Sequence, residues 1–164
     1  MHSEHREFLE KRYGASEWLG RGVRSRRVVK DFDFDGSEIH GWTLQRVRRD
    51  EHAKPPVIRS IWRRGESTSE LLSVDVFICV SVKAAHDQLI EALGNFESGA
   101  VERQTEKNTP GEIAFALGDT MLLFARVNLV VLIRNAGFKV VSVRAAARGL
   151  DSVILGWDKG GKSR

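Results

Sequence analysis

Between residues 71 and 93 the chain changes period once, and no other stretch limits its fold as much. Residues 71–82 are apolar and rich in β-branched side chains, the composition of a central strand. Ser81 then precedes VKAAHDQLIEAL, where Val82, Ala85, Leu89, Ala92 and Leu93 recur near the helical period. The strand therefore hands over to an amphipathic helix whose first turn the serine hydroxyl caps and which Gly94 stops. A chain built around such a handover is a mixed protein with helices packed on a sheet.

The handover occurs twice. At an offset of 61 residues FICVSVKAAHDQL (77–89) lies over FKVVSVRAAARGL (138–150), with seven of thirteen positions identical and Lys83 matched by Arg144. The shared residues have a structural cause: a strand delivers a serine that caps the helix, a cation faces solvent, and paired alanines let the first turn approach a sheet. Duplication of a strand-strand-helix unit and convergence on one helix-start chemistry both account for the match, since alanine is the best helix former. Either origin predicts two helices, each launched from the end of a strand and packed on a mostly antiparallel sheet.

The remaining pattern fills in that sheet. Residues 57–63 alternate, with Val57, Arg59, Ile61 and Arg63 on one side and Ile58, Ser60 and Trp62 on the other. Before them Trp42, Leu44 and Val47 mark a first strand, and 52–56, with two prolines, a turn. The polar segment 96–110 reads as a long loop or an irregular edge. Strands are expected at 113–117 and 121–127 about a two-residue Gly118-Asp119 turn, then at 129–133 and 139–143 about a turn at 135–137, before a last helix over 143–155. Upstream, 4–13 predicts a short helix with Phe8, Leu9 and Tyr13 as an apolar stripe, and 15–30 a surface leader rich in Gly, Ser and Arg. The expected organisation is a basic leader at 1–38, a single α+β domain at 39–157 and a polar tail at 158–164. A binding site would be sought between the two helical units or beneath the 96–110 loop.

The strand-helix VDVFICVSVKAAHDQL, the strand GEIAF, the strand FARVNLVVLI and a helix ending GLDSVI together resemble small bacterial domains of unknown function. In those domains a strand-Ser-Ala helix is followed by a Gly-Asp/Glu strand, an aromatic-x-Arg-x-Asn strand and a closing Ala-rich helix. The resemblance spans residues 71–155 and implies a fold with no assigned activity. This chain departs from it at Val127, where glycine is expected before Asn128.

Charge divides the chain unevenly. Of 26 basic and 22 acidic side chains, residues 1–65 hold 15 and 10, so the net charge of +4 arises there. Arg21, Arg24, Arg26, Arg27 and Lys30 form a run without an acid, and Arg46, Arg48 and Arg49, then Arg63 and Arg64, add two clusters. They form an anion-facing surface or, more simply, keep a leader and strand edges solvated. A sequence-reading nucleic-acid module would show a helix-turn-helix, aromatic-bearing RNA-binding strands or zinc ligands, and none is readable.

Catalytic sets are as hard to find. Asp31, Asp33 and Asp35 alternate before Gly36 like half a calcium loop, but the closing position is Trp42 rather than a bidentate Glu. The alternation reads instead as an extended segment with Phe32 and Phe34 on one side. His86 and Glu91 are five apart, off the spacing that brings helical side chains together. Cys79, the one cysteine, sits between Ile78 and Val80 as a buried hydrophobe would. Nucleophile elbows, phosphate loops and zinc spacings are absent, so no metal or cofactor is expected. Arg126 and Asn128, two apart on a strand, are the most site-like polar pair: with His86 they could line a ligand site, gripping a carboxylate or phosphate, or they satisfy backbone groups at a strand bend.

These residues predict a non-catalytic binding or protein-interaction module whose partner they do not identify. The alternatives are an anion or nucleic-acid binder acting through the basic amino-terminal part, and an enzyme with a site near Arg126 and Asn128. The start MHSEHREF lacks the apolar core of a secretory signal, and no apolar run approaches the roughly 20 residues of a spanning helix. A cytoplasmic location is the expectation, unless the chain as given begins after a removed signal.

Overall fold

The apolar runs assemble into one seven-stranded sheet. The computed structural model describes residues 1–18, 28–96 and 99–158. Its strands are β1 (Thr43–Asp50), β2 (Val57–Arg63), β3 (Leu71–Ile78), β4 (Glu102–Gln104), β5 (Ile113–Leu117), β6 (Met121–Arg126) and β7 (Leu129–Asn135). They lie in the order β1-β2-β3-β7-β6-β5-β4, with every neighbouring pair antiparallel. Helices α1 (Ser3–Arg12), α2 (Val82–Gly94) and α3 (Arg144–Asp158) complete an α+β fold of the kind the alternation and the handover require.

The sheet separates two cores. On one side, here the α2 face, Phe115, Leu123 and Leu132 meet Leu89 and Leu93 of α2, Leu9 of α1, and Trp18 behind a 3-10 turn at Ala15–Glu17. On the other, the α3 face, Trp62, Val74, Phe124 and Ile133 meet Leu150 and Ile154 of α3 together with residues 29–39. Phe32 and Phe34, the buried side of the Asp-Phe alternation, meet edge to face at 5.3 Å, and Phe34 reaches Trp62 at 5.7 Å. Fully burying one such ring stabilises by about 2–3 kcal/mol. The packed structure therefore does not begin at Ile39: Leu9, Tyr13, Trp18, Val29 and Phe32 belong to the cores, and residue 38 marks no edge of either.

The two handovers end on opposite faces. Ser81 caps α2 as expected, its hydroxyl accepting from Ala84 N at 3.0 Å. At the second copy no strand forms over 139–143, and Phe138 is exposed in a bend while its counterpart Phe77 sits inside β3. β3 and β7 are antiparallel neighbours. A two-fold axis relating such a pair runs normal to the sheet and would leave both helices on the same face. The helix starts differ as well: α3 begins at Arg144, one aligned position later than α2, Ser142 Oγ accepts from Arg144 N at 3.3 Å, and of the paired alanines Ala146 is buried and Ala145 exposed.

Other boundaries move for local reasons. β3 stops at Ile78 because Cys79 N donates to Asn128 O, at 3.0 Å, in a two-residue Val127-Asn128 turn between β6 and β7. Three residues, 118–120, make the β5–β6 turn, and the short edge strand β4 lies within the expected 96–110 loop. Gly111 enters β5 at φ +76, where an added Cβ would lie 2.6 Å from Ala125 O. Gly111→Ala is expected to destabilise by about 2–4 kcal/mol, left-handed strain and clash together, read as a lower urea midpoint with an unchanged m-value.

Candidate functional site

The polar trio Arg126, Asn128 and His86 is divided by the fold. Arg126, at the end of β6, points to the α3 face and donates from Nε and Nη2 to the two carboxylate oxygens of Asp151 on α3, both at 2.8 Å. Asn128 is fully buried. Its amide nitrogen donates to Val29 O at 2.7 Å and Cys79 O at 2.8 Å, and its Oδ1 accepts from Val29 N at 2.8 Å. Asn128 thus clips the 28–39 segment to the end of β3, the backbone-satisfying role open to a polar residue at a strand bend. Val127 before it holds φ 54, a left-handed conformation rare for a β-branched residue and natural for the glycine expected there. His86 lies on α2, across the sheet. Its ring meets Trp18 edge-on at 5.7 Å, burial lowers its pKa, and Nε2 is buried without a partner among the described residues. The three side chains cannot contact one ligand. Burial also pushes the Cys79 thiol up to about 12, so it stays protonated and unreactive at neutral pH.

The basic residues separate by face. Arg21, Arg24, Arg26 and Arg27 lie outside the described residues, and Lys30 is exposed. Arg49 points to the α3 face, where Nη2 donates to Phe32 O at 2.8 Å and the guanidinium pairs with Glu51 and Asp33. Arg64 stands 4.9 Å from the Trp42 ring and bonds Glu70. These two are committed to the fold.

Arg46 and Arg48 are not. Strand register sets them on the α2 face, Arg48 directly opposite Arg59, Arg46 opposite Ile61, and Arg63 opposite Thr43. The rows continue inward: Arg59 faces Asp75, and Ile61 faces Ser73, which faces Arg134 of β7. Helix α2 packs on β6 and β7, and beyond it Arg46, Arg48, Arg59 and Arg134 are exposed. Five guanidiniums therefore share one open side of β1, β2, β3 and the end of β7.

Two acids, Asp75 and Asp50, stand on these strand rows. Asp75 is nearly buried between Arg59 and Arg134, with Arg134 Nη2 at 3.7 Å, and burial raises its pKa against the pull of both cations. Asp50 closes the turn after β1, accepting from His52 N and Ala53 N. Among the described residues Arg46, Arg48, Arg59 and Arg63 form no ion pair, and Arg63 Nε is buried without a partner. Like charges directly opposite across two strands destabilise, by up to about 1 kcal/mol, so bound anions would relieve the Arg48 and Arg59 pair. The alternation of 57–63 already grouped Arg59 with Arg63; what joins them to Arg46, Arg48 and Arg134 is pairing between strands distant in sequence.

Comparison with protein-family models, curated proteins and solved structures finds no match to the chain. Among the described residues no group of His, Cys, Asp and Glu is placed to hold a metal ion, and no helix is long and apolar enough to cross a membrane.

Proposed function

We propose that this protein is a non-catalytic binding module that holds an anionic polymer, the phosphate backbone of a nucleic acid, on the open side of β1, β2 and β3. The observation that carries this reading is the set of five arginines on one solvent face, four of them without an ion-pair partner among the described residues. Arginine forks match phosphate oxygens bidentately, and their weak hydration lowers the cost of contact. Among the described residues the exposed large apolar side chains Met1, Phe8, Val47, Val80, Phe138 and Val140 all lie outside these rows, so the rows offer no wedge for a lipid surface. Nor does it present an exposed aromatic ring for base stacking, which favours backbone contact without sequence reading. The acid-free run from Arg21 to Lys30 adds to the long-range attraction.

Binding to a short labelled DNA duplex should weaken with salt at a log-log slope of about −4.5 for five phosphate contacts. The variant R46E/R48E/R59Q should make that slope shallower by about 2–3. An unchanged slope in the variant refutes the face as the site, and binding to polyglutamate but not to the duplex assigns it to an acidic protein instead. Deleting residues 1–30 is no substitute, because it strips Leu9, Tyr13, Trp18 and Val29 from the cores.

A further inference from the structure

On the α3 face, near the sheet edge farthest from β1, residues 106–110 arch against α3 and enclose a cleft of about 620 Å³ floored by Leu122. Small-molecule sites commonly measure about 300–1,000 Å³. Arg144, Arg148, Asp151 and Ser152 line the cleft because spacings of three and four put them on one side of the helix. Two of these charges are already satisfied. Asp151 is neutralised by Arg126, and Arg144 donates to Asp119, Gln104 Oε1 and Gly118 O, which braces the first turn of α3 against the β5–β6 turn.

Two cations remain. Arg148, one helical turn beyond Arg144, and Lys107 on the arch are exposed and have no side-chain partner among the described residues. The arch is held by its own bonds: Thr109 N and Oγ1 both donate to Glu106 O, at 3.1 and 2.7 Å, and Asn108 takes a left-handed φ of 79. Lys107 and Asn108 line the cleft from this arch, and Arg148 lines it from α3.

We propose that this cleft is a second binding site, for a small polar organic molecule bearing a phosphate or carboxylate group. Arg148 and Lys107 grip the anionic group from α3 and the arch, and Asn108 and Glu106 are open to the ligand's hydroxyl or amine groups. Asp151 is already paired with Arg126, so among the described residues lining the cleft the unpaired carboxylate is that of Glu106. The cleft leaves room for an organic body around the gripped anionic group. The site lies across the sheet from the arginine face and does not depend on it.

Titration of the full isotope-labelled chain with glycerol phosphate, malate and the uncharged control glycerol, followed by amide chemical shifts, tests the assignment. Saturable shifts are expected at 106–109 and 144–152 with one or both anions and none with glycerol. A response to glycerol phosphate alone assigns a phosphoryl ligand, and a response to malate alone a carboxylate. Arg148→Gln, at an exposed helix position, and Lys107→Gln on the other wall should each weaken binding at least about tenfold. R46E/R48E/R59Q should leave it unchanged. Absence of shifts with both anions, shifts that survive Arg148→Gln, or shifts abolished by the sheet-face variant would each overturn the proposal.

Discussion

Asn128→Ala is expected to lower the unfolding free energy by about 3–6 kcal/mol. The amide it removes is the partner of Val29 N, Val29 O and Cys79 O, all in the buried turn where the 28–39 segment meets the sheet. Leaving a buried polar group unsatisfied costs about 1–3 kcal/mol each. Against a typical total of about 5–15 kcal/mol this is a large fraction of stability. Asn128→Asp tests the polarity of the clip. It keeps an acceptor for Val29 N but sets a carboxylate against two carbonyl oxygens, so it should destabilise at least as much as alanine. Urea denaturation reads both, and amide exchange at Val29 should quicken in step. A loss under about 1 kcal/mol for Asn128→Ala would mean that the segment is held by its apolar side chains and the Arg49 bond to Phe32 O rather than by the clip.

Asp151→Ala is expected to cost about 3–5 kcal/mol, because it strands the Arg126 guanidinium between β6 and α3 with its side chain only 15% exposed. The pair itself is not the source of that figure. Replacing both partners at once, as Arg126→Met with Asp151→Leu, should return stability to within about 1–2 kcal/mol of the parent, since a buried ion pair and a well-packed apolar pair are close in free energy. A double-mutant cycle by urea denaturation separates the two statements. If Asp151→Ala and the double variant lose equal stability, Arg126 acts through packing of its stem rather than through its charge.

How much of this was readable in advance depends on the range of the interaction. Period and capping are local, so β2 at Val57–Arg63 and α2 with its Ser81 cap emerge from the residues themselves. The β6–β7 turn does not, because Val127 looks like a strand residue and only the surrounding fold holds it at φ 54. Residues 28–39 read as a leader because their partners, Trp62, Asn128 and Arg49, come from other parts of the chain. The grouping of Arg126 with His86 fails for the same reason. Alternation says which side chains share a side of a strand, but long-range pairing decides which side a helix then covers, and α2 and α3 cover opposite ones. The arginine face needed both kinds of knowledge: Arg59 and Arg63 follow from alternation, and their alignment with Arg48 and Thr43 from register.

The sheet ends very differently on its two sides. β4 is three residues long, whereas β1 presents a rim of eight whose outer side pairs with no strand among the described residues. Among the described residues such a rim is a template on which a second chain can stack, and charged side chains along it are a common deterrent. Here Arg46, Arg48 and Arg49 supply the deterrent, and the first two also stand on the proposed phosphate-binding rows. Neutral residues at 46 and 48 would disarm the rim as well as the face, which is why acids belong there in the test variant. Keeping copies of this protein apart and drawing a polyanion to it rest on the same few charges.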